Sequence, residues 1–550
     1  MKMKNLLSTV VLVTFLMSLT ACNGDGDKVE LMPVKTSRNG SWSMLSPDGK
    51  IKYDAEFKNE PSVCFNGVFT VPNDDGTYIL YDGKGESPKE VPGCNDLYQA
   101  GAMSEGVIPI TRIGKHIELV NKKGETLATL DKCDGQQITR CFPSISSGLL
   151  GVEVVGRKYG FVNKKGETVV KPKYFITTPF VDGYAAVGTR DDDGNEKFQI
   201  IDTEGKTVVS VKDKYTPVTA MLKGYMVLED PETKRYCMMD KEGNITKLPD
   251  KVEEYVYFNG KYMIFKCDNQ YGAVDTKGEI VIRAKYYKLK LFEDDSFWAQ
   301  KQRDSGFVKL NTKGETVAEI DYTFISDNYS GFGFFAKDGN TWNLIDDNGK
   351  IVGNEDFYDI SEKTTCCGMV ESDYFDFQAI ADETVEYLTS NKLKFGEKPQ
   401  KVFSDVTPDY SYANDEATMQ SESTEGYKYT RTVFARSSEP MAQWGTSGYV
   451  WNPAAILDTY DIYINTEKRD GLTKDEFNTI VKSFESKGFK KVKISEKTNS
   501  DVIVSISLLA KEDTAVLVFV VTGKQDFTIV TFPKSNTLFW NNALEMIASN

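Results

Sequence analysis

Histidine is almost missing from this 550-residue chain, where His116 stands alone. Catalysis that relies on an imidazole therefore has one candidate, and a metal centre built on histidines has none. No C-x-x-C pair occurs, which removes a zinc ribbon and a thioredoxin-like redox motif. A G-x-S-x-G elbow, an H-E-x-x-H helix, a Walker loop and a G-x-G-x-x-G fingerprint are absent as well. A clustered basic face is also missing, and the formal net charge is −15, which argues against nucleic acid and anionic headgroups as partners. Prolines are few, at 18, while aromatics make up 12% and hydrophobic residues 40% of the chain, so it is globular and long enough for two or more domains.

The N-terminus reads as an export signal. Lys2 and Lys4 form the positive region, and Leu6 to Met17 is an apolar core too short to span a bilayer. The junction Leu19-Thr20-Ala21-Cys22 resembles the lipobox of bacterial lipoproteins. That resemblance implies cleavage after Ala21, lipidation of Cys22 and anchoring to a membrane by several acyl chains. A plain secretory signal with Cys22 unmodified is the other reading. The following Asn-Gly-Asp-Gly-Asp is an acidic tether that loosely resembles the surface-export segments of Bacteroidetes lipoproteins. Loss of residues 1–21 removes two lysines and leaves the mature chain more acidic still.

Eight cysteines follow the anchor: Cys64, Cys94, Cys133, Cys141, Cys237, Cys267, Cys366 and Cys367. An even number in an exported protein permits disulfides, while repeat folds also bury free thiols, and both outcomes stay open. The adjacent pair Cys366-Cys367 reads as a linker feature.

The strongest signal is internal repetition. Lys158 to Tyr174, KYGFVNKKGETVVKPKY, returns as QYGAVDTKGEIVIRAKY from Gln270 to Tyr286. Equivalents of Gly166 recur at Gly49, Gly85, Gly124, Gly205, Gly243, Gly278, Gly314 and Gly349, about 37 residues apart on average. Three residues earlier stands Ser, Asp or Asn, whose side chain accepts from the turn backbone while the glycine supplies a positive φ. Four residues before the glycine the position is always apolar, and seven before it is aromatic in all copies but Ile117. Each turn is thus approached by a patterned strand. A second anchor, such as Gly183-Tyr-Ala-Ala-Val, adds another strand, so one repeat holds at least three short strands without a helical period.

This spacing, aromatic-Gly-x-apolar-Asp/Asn-x-x-Gly with Tyr174, Tyr286 and Tyr322 eight residues on, resembles the WG-repeat family. The resemblance covers residues 40–360, although the Trp-Gly pair is degenerate: Gly160 and Gly272 follow a Tyr, and Trp42 and Trp342 lack the Gly. It implies a propeller-like β architecture and a bacterial surface or periplasmic setting. Physics points the same way, since a unit this small must stack on its neighbours, and radial stacking leaves few bare edges. A propeller of seven or eight blades is expected, with an open β solenoid as the alternative. The recurrent aromatic is expected to be core between blades.

Residues 362–375 read as a linker, and 376–550 as a smaller α+β domain: an antiparallel sheet with helices on one side. Its elements are a helix at Asp382–Ser390, strands near Lys428–Ala435, Ile456–Asn465, Lys491–Ser495, Val502–Leu509, Ala515–Thr522 and Phe527–Phe532, and a closing helix at Asn536–Ala548. Thr473 and Glu476 form a capping box for a helix through Ser486, and Tyr412–Gly426 reads as an exposed loop. The organisation expected is therefore 1–21 signal, 22–39 tether, 40–361 repeats, 362–375 linker and 376–550 α+β.

Candidate chemistry is thin. His116 reads as a partly exposed strand residue rather than a general base. Asp191-Asp192-Asp193-Gly194-Asn195 lacks calcium-loop spacing and reads as a solvated hairpin tip. Trp444 and Trp451 flank a Gly-rich stretch that could stack on sugars or simply pack. No catalytic, metal or cofactor residues are assigned, and the ligand-binding residues are unknown. The expected function is a lipid-anchored envelope binding or scaffold protein, outer-membrane and facing the periplasm or the surface, that engages a glycan, peptide or protein. A carboxylate-dependent glycan hydrolase or lyase is the alternative.

Overall fold

A computed structural model describes residues 28–191, 193–212, 215–292, 294–326, 332–363, 368–390, 395–397, 409–410, 417–426, 429–437, 442–443, 449–450, 459–466, 471–499 and 502–549. The chain divides into two compact units, the first ending at Tyr374 and the second running from Phe375. Cys22, Cys366, Cys367, Asp192, Trp444 and Trp451 lie outside the described residues.

In the first unit the repeat is an antiparallel meander, well seen in Ile176–Thr177, Tyr184–Arg190, Glu196–Asp202 and Thr207–Ser210. Its third turn works as the sequence requires. Asp202 Oδ1 accepts from the backbone of Glu204 and Lys206, and Gly205 takes φ +76°. Asn121, Asn163, Asp240, Asp275, Asn311 and Asp346 accept from their own turns in the same way.

A second constraint fixes the same glycines. A Cβ on Gly205 would sit 2.9 Å from Val170 Cγ2, on the outermost strand of the preceding repeat, and one on Gly124 would sit 2.0 Å from Pro92 O. Gly166, Gly243, Gly278, Gly314 and Gly349 are likewise seated on the preceding repeat, whereas Gly85, expected to take a positive φ, does not, and a Cβ there would meet only Ser87 of its own turn. Gly49, in the first repeat, repeats the contact against the last: its Cβ would lie 2.7 Å from Val352 O. The ring therefore closes. Closure is sealed by the strand Asp359–Ile360, which pairs antiparallel with Val29–Lys35, and by a shared core of Met32, Val34 and Leu45 with Phe335, Leu344 and Phe357. This is a mainly β, propeller-like body, and closure sets it apart from an open solenoid. Counted by turn, it has nine repeats. Counted by continuous hydrogen bonding, the described residues give seven sheets, because the first three repeats share one path.

Three expectations change. Val29–Lys35, placed in the tether, is a nearly buried strand, because Trp42–Leu45 and Cys64–Phe65 pair with it and Asp359–Ile360 adds a further partner across the closure. Val370–Glu371, placed in the linker, pairs with Gln136–Cys141. The aromatic position is not uniformly core: Trp42 and Phe307 are buried, but Tyr159, Phe198, Tyr236, Tyr271 and Trp342 are half-buried. Lysine ammonium groups cover three of these rings, Lys35 over Trp42, Lys266 over Tyr271 and Lys337 over Trp342, about as favourably as an exposed cation–π contact allows.

The second unit is an eight-stranded antiparallel sheet. Its order is Asp409–Tyr410, Ala417–Gly426, Tyr429–Ser437, Thr459–Thr466, Asp526–Pro533, Thr514–Val521, Val502–Lys511 and Lys490–Asn499. Ala417–Gly426 is thus a strand rather than the loop expected, since pairing with Tyr429–Ser437 satisfies a backbone whose polar side chains gave no strand signal. The helices Phe377–Thr389 and Lys474–Ser486 pack on one face against Val516, Val518 and Val520. The helix Thr537–Ser549 packs on the other, against Leu508, Ala515 and Leu517. Helices therefore cover both faces, not one. The capping box forms: Thr473 N donates to Glu476 Oε2 at 2.7 Å, and Glu476 N donates to Thr473 Oγ1 at 3.4 Å.

Candidate functional site

In a four-strand meander the first and third turns lie at one end of the sheet and the second turn at the other. The first-turn end is locked. Gly148 N donates to both Glu105 carboxylate oxygens at 3.1 Å, Gly183 N to Ser147 Oγ at 3.2 Å and Lys223 N to Asp182 Oδ2 at 2.7 Å, so successive repeats are tied turn to turn. The second turns vary in length and charge, from Val155-Gly-Arg157 through Ile113-Gly-Lys-His116 to Pro231-Glu-Thr-Lys234. Variable loops on a fixed frame are where recognition concentrates.

At this variable end lies a polar cluster organised by the strap Met369–Tyr374. Val370 is fully buried, and the strap pairs Val370 with Cys141 and Glu371 with Arg140. Glu371 N donates to Gln99 Oε1 at 2.6 Å, and Thr111 Oγ1 donates to Glu371 O at 2.8 Å. Gly114 N donates to Asp373 Oδ2 at 2.8 Å, and Asp373 N to Lys115 O at 3.0 Å. Tyr374 then stacks on His116 with centroids 3.8 Å apart, while His116 Nε2 lies 3.8 Å from Asp131 Oδ1. The strap stitches the third repeat to the fourth.

Beside it, the Arg140 guanidinium lies 3.9 Å from Glu153 and 3.6 Å from Glu371. Glu153 is almost fully buried and accepts from Tyr159 Oη at 2.8 Å. Burial, and then this hydrogen bond, push the Tyr159 hydroxyl well above its usual range. Tyr159 is therefore a neutral donor rather than a nucleophile. In the third repeat, Arg112 reaches Glu118 at 2.6 Å and Asp96 at 3.6 Å, and burial pushes the neighbouring Cys94 thiol up despite that cation. Arg140 thus joins Glu153 of the fourth repeat to Glu371 of the strap, while Arg112 gathers Glu118 and Asp96 within the third.

The sequence candidates fall as follows. His116 sits in a second turn, just before the strand Ile117–Val120, and packs on Tyr374 of the strap. Asp191 caps its own turn, accepting from Asn195 N at 2.8 Å, and Asp193, Gly194 and Asn195 are exposed. Cys64, Cys94, Cys133, Cys141, Cys237 and Cys267 are free, all but Cys267 buried. Among the described residues, no group of three or more His, Cys, Asp or Glu converges to hold a metal ion. The strap was missed by the sequence reading, although Val370, Ser372 and Tyr374 alternate with Glu371 and Asp373 at the strand period of two.

No curated protein matches the chain. Among solved structures, Sqt1 of Saccharomyces cerevisiae is similar at 9% identity and TM-score 0.27, covering 52% of this chain and 93% of that one. The C-terminal WD40 domain of Sif2 is similar at 10% identity and TM-score 0.30, covering 50% and 97%. A putative TolB from Agrobacterium tumefaciens is similar at 11% identity and TM-score 0.21, covering 36% and 84%. The propeller-like description rests on this chain's own strand order and closure, not on likenesses of that size. The family model that matches is the WG containing repeat, at residues 159–190, 271–302 and 310–342, so the first unit carries that repeat in three segments.

Proposed function

We propose that this protein is a binding or scaffold protein of the bacterial cell envelope, anchored through a lipidated Cys22, whose ring presents its second turns to a glycan, peptide or protein. The observation that carries the reading is the asymmetry of the ring. One end is tied by turn-to-turn hydrogen bonds and by seated glycines, while the other bears turns of differing length and charge. A repeat body of this kind suits an interaction platform. The lipobox-like junction supports the anchor, and engagement of Glu153 and Glu371 by Arg140 leaves the hydrolase alternative without a favouring observation.

The test is retention of residues 23–550 on a panel of envelope glycans, peptidoglycan and envelope-protein fractions. Two further proteins accompany it, one with Pro231–Lys234 and one with Asp191–Asn195 shortened to Asn-Gly. Retention that the shortened turns abolish is the expected result. Release of a cleaved product, or retention indifferent to every second turn, overturns the reading. Labelling of the full chain with radioactive fatty acid, lost in Cys22→Ser, checks the anchor independently.

A further inference from the structure

The second unit ends, at one edge of its sheet, in the strand Lys490–Asn499. It is paired through nine registered positions with Val502–Lys511, and among the described residues no strand pairs with its other side. An edge of this length offers a row of unpaired backbone donors and acceptors. Natural proteins guard such edges with lysine and with bulges, and this strand has both: Lys490, Lys491 and Lys493, with a register shift between Lys491 and Lys493.

Guarding alone does not account for the rest. Val492 is 44% and Ile494 42% exposed, and two β-branched aliphatics left in water are what a strand-accepting edge presents. The charges also act selectively. A second copy of the same edge would bring lysine against lysine and be repelled, whereas a strand rich in Asp or Glu would be drawn in. Two of the neighbouring charges are already paired within the unit: Lys491 lies 3.8 Å from Glu485, and Lys474 lies 2.7 Å from Glu496. Lys490 and Lys493 are exposed, and among the described residues neither forms an ion pair.

We propose that Lys490–Asn499 accepts an extended acidic peptide as a ninth strand, its aliphatic side chains covering Val492 and Ile494 and its carboxylates meeting Lys490 and Lys493. Backbone pairing gives the affinity and the lysines choose the sign of the partner. This surface belongs to the second unit alone and does not depend on the role assigned to the ring.

The experiment is fluorescence anisotropy of residues 23–550 with a labelled ten-residue peptide alternating Glu and Val. Controls are the same peptide N-methylated at every second amide, a Lys-Val peptide, and the protein variant Lys490→Glu with Lys493→Glu. Those two side chains are exposed, so the variant keeps its fold, and circular dichroism verifies that. Saturable binding of the Glu-Val peptide is expected, weakened about tenfold or more by the charge reversal and abolished by N-methylation. No binding, equal binding of the Lys-Val peptide, or binding that survives N-methylation in both methylation registers overturns the proposal. Uptake of the protein by phosphatidylglycerol vesicles without peptide binding overturns it too, since the lysines would then serve a membrane surface.

Discussion

Replacing Gly49 by alanine tests ring closure at a single atom. The added Cβ would lie 2.7 Å from Val352 O and 2.8 Å from Gly353 N and Cα, all backbone atoms that cannot rotate away. Gly49 also holds φ +78°, which costs an alanine about 1–2 kcal/mol. Forcing a methyl group into packed backbone adds about 1–3 kcal/mol, for a total near 3 kcal/mol. Gly76 separates the two terms: its φ is +87° but its Cβ would meet nothing within 4 Å, so Gly76→Ala carries only the conformational cost, about 1–2 kcal/mol. A chain of two units does not unfold as one transition, so the readout must be local. Hydrogen exchange followed by mass spectrometry on peptides spanning Val29–Lys35 and Asp359–Ile360, the two strands that seal the ring, supplies it. In Gly49→Ala, protection there should fall about 100-fold, the equivalent of about 3 kcal/mol. In Gly76→Ala both strands should keep their protection. Equal effects of the two substitutions on the seal, or an effect of Gly49→Ala confined to its own turn, would refute the inference that the first repeat is seated on the last.

Other expectations follow from single side chains. In native protein at neutral pH, maleimide should label Cys267 ahead of the five buried thiols, and slowly, because burial and then the Glu253 and Asp268 carboxylates hold its thiol above the usual range. Its labelling rate should therefore still be climbing at a pH where that of an ordinary thiol has levelled off, and full modification of Cys64 or Cys141 without denaturant would contradict their burial. Tyr53 donates its hydroxyl to Gly83 O and Gly85 O, and burial first, then the Cys64 and Asp82 sites, push its ionisation up to about 12. A folded value above the unfolded one, about 10, means that its contribution to stability is whole below pH 10 and is lost as pH climbs towards 12. Ultraviolet titration should show a phenol silent until about pH 12 that disappears in Tyr53→Phe. Thr473→Ala should cost about 1 kcal/mol through loss of the capping box, read as faster exchange in the first turn of Lys474–Ser486. Unchanged exchange there would mean that packing of Phe477 and Ile480, not the cap, fixes that helix start.

How far the fold could be read from residues depends on how local each signal is. The third turns were legible because two separate demands fall on neighbouring positions: an Asn, Asp or Ser acceptor such as Asp202, and a glycine such as Gly205 at positive φ. The strand Val29–Lys35 was not, because it is held from several sides at once, by Trp42–Leu45, by Cys64–Phe65 and by Asp359–Ile360 more than 300 residues away, while Pro33 within it weakens the local pattern. The same holds for Met369–Tyr374, and so for the candidate site: His116 was noticed for its rarity, yet its meaning lies in Tyr374, which only the folded chain brings to it. The fate of the thiols was equally closed to inspection, since burial of Cys64 and Cys141 in apolar clusters is a tertiary outcome.

The second unit shows the opposite case, a signal present but misweighted. Thr514–Val521 reads TAVLVFVV without a polar alternation, and an uninterrupted apolar run is the mark of a strand covered on both faces. A sheet with helices on one side would have required every second residue there to be polar. Val516, Val518 and Val520 instead meet the helices Phe377–Thr389 and Lys474–Ser486, while Ala515 and Leu517 meet Thr537–Ser549. The strand at the edge departs from that pattern in the other direction. Lys490–Asn499 alternates charge with Val492 and Ile494, as a strand does when one side of it is built to meet water or an incoming chain. Central and edge strands of one sheet thus declare their positions in composition alone, and the exposed aliphatics of the edge are the residues that sheet formation within this unit leaves unused.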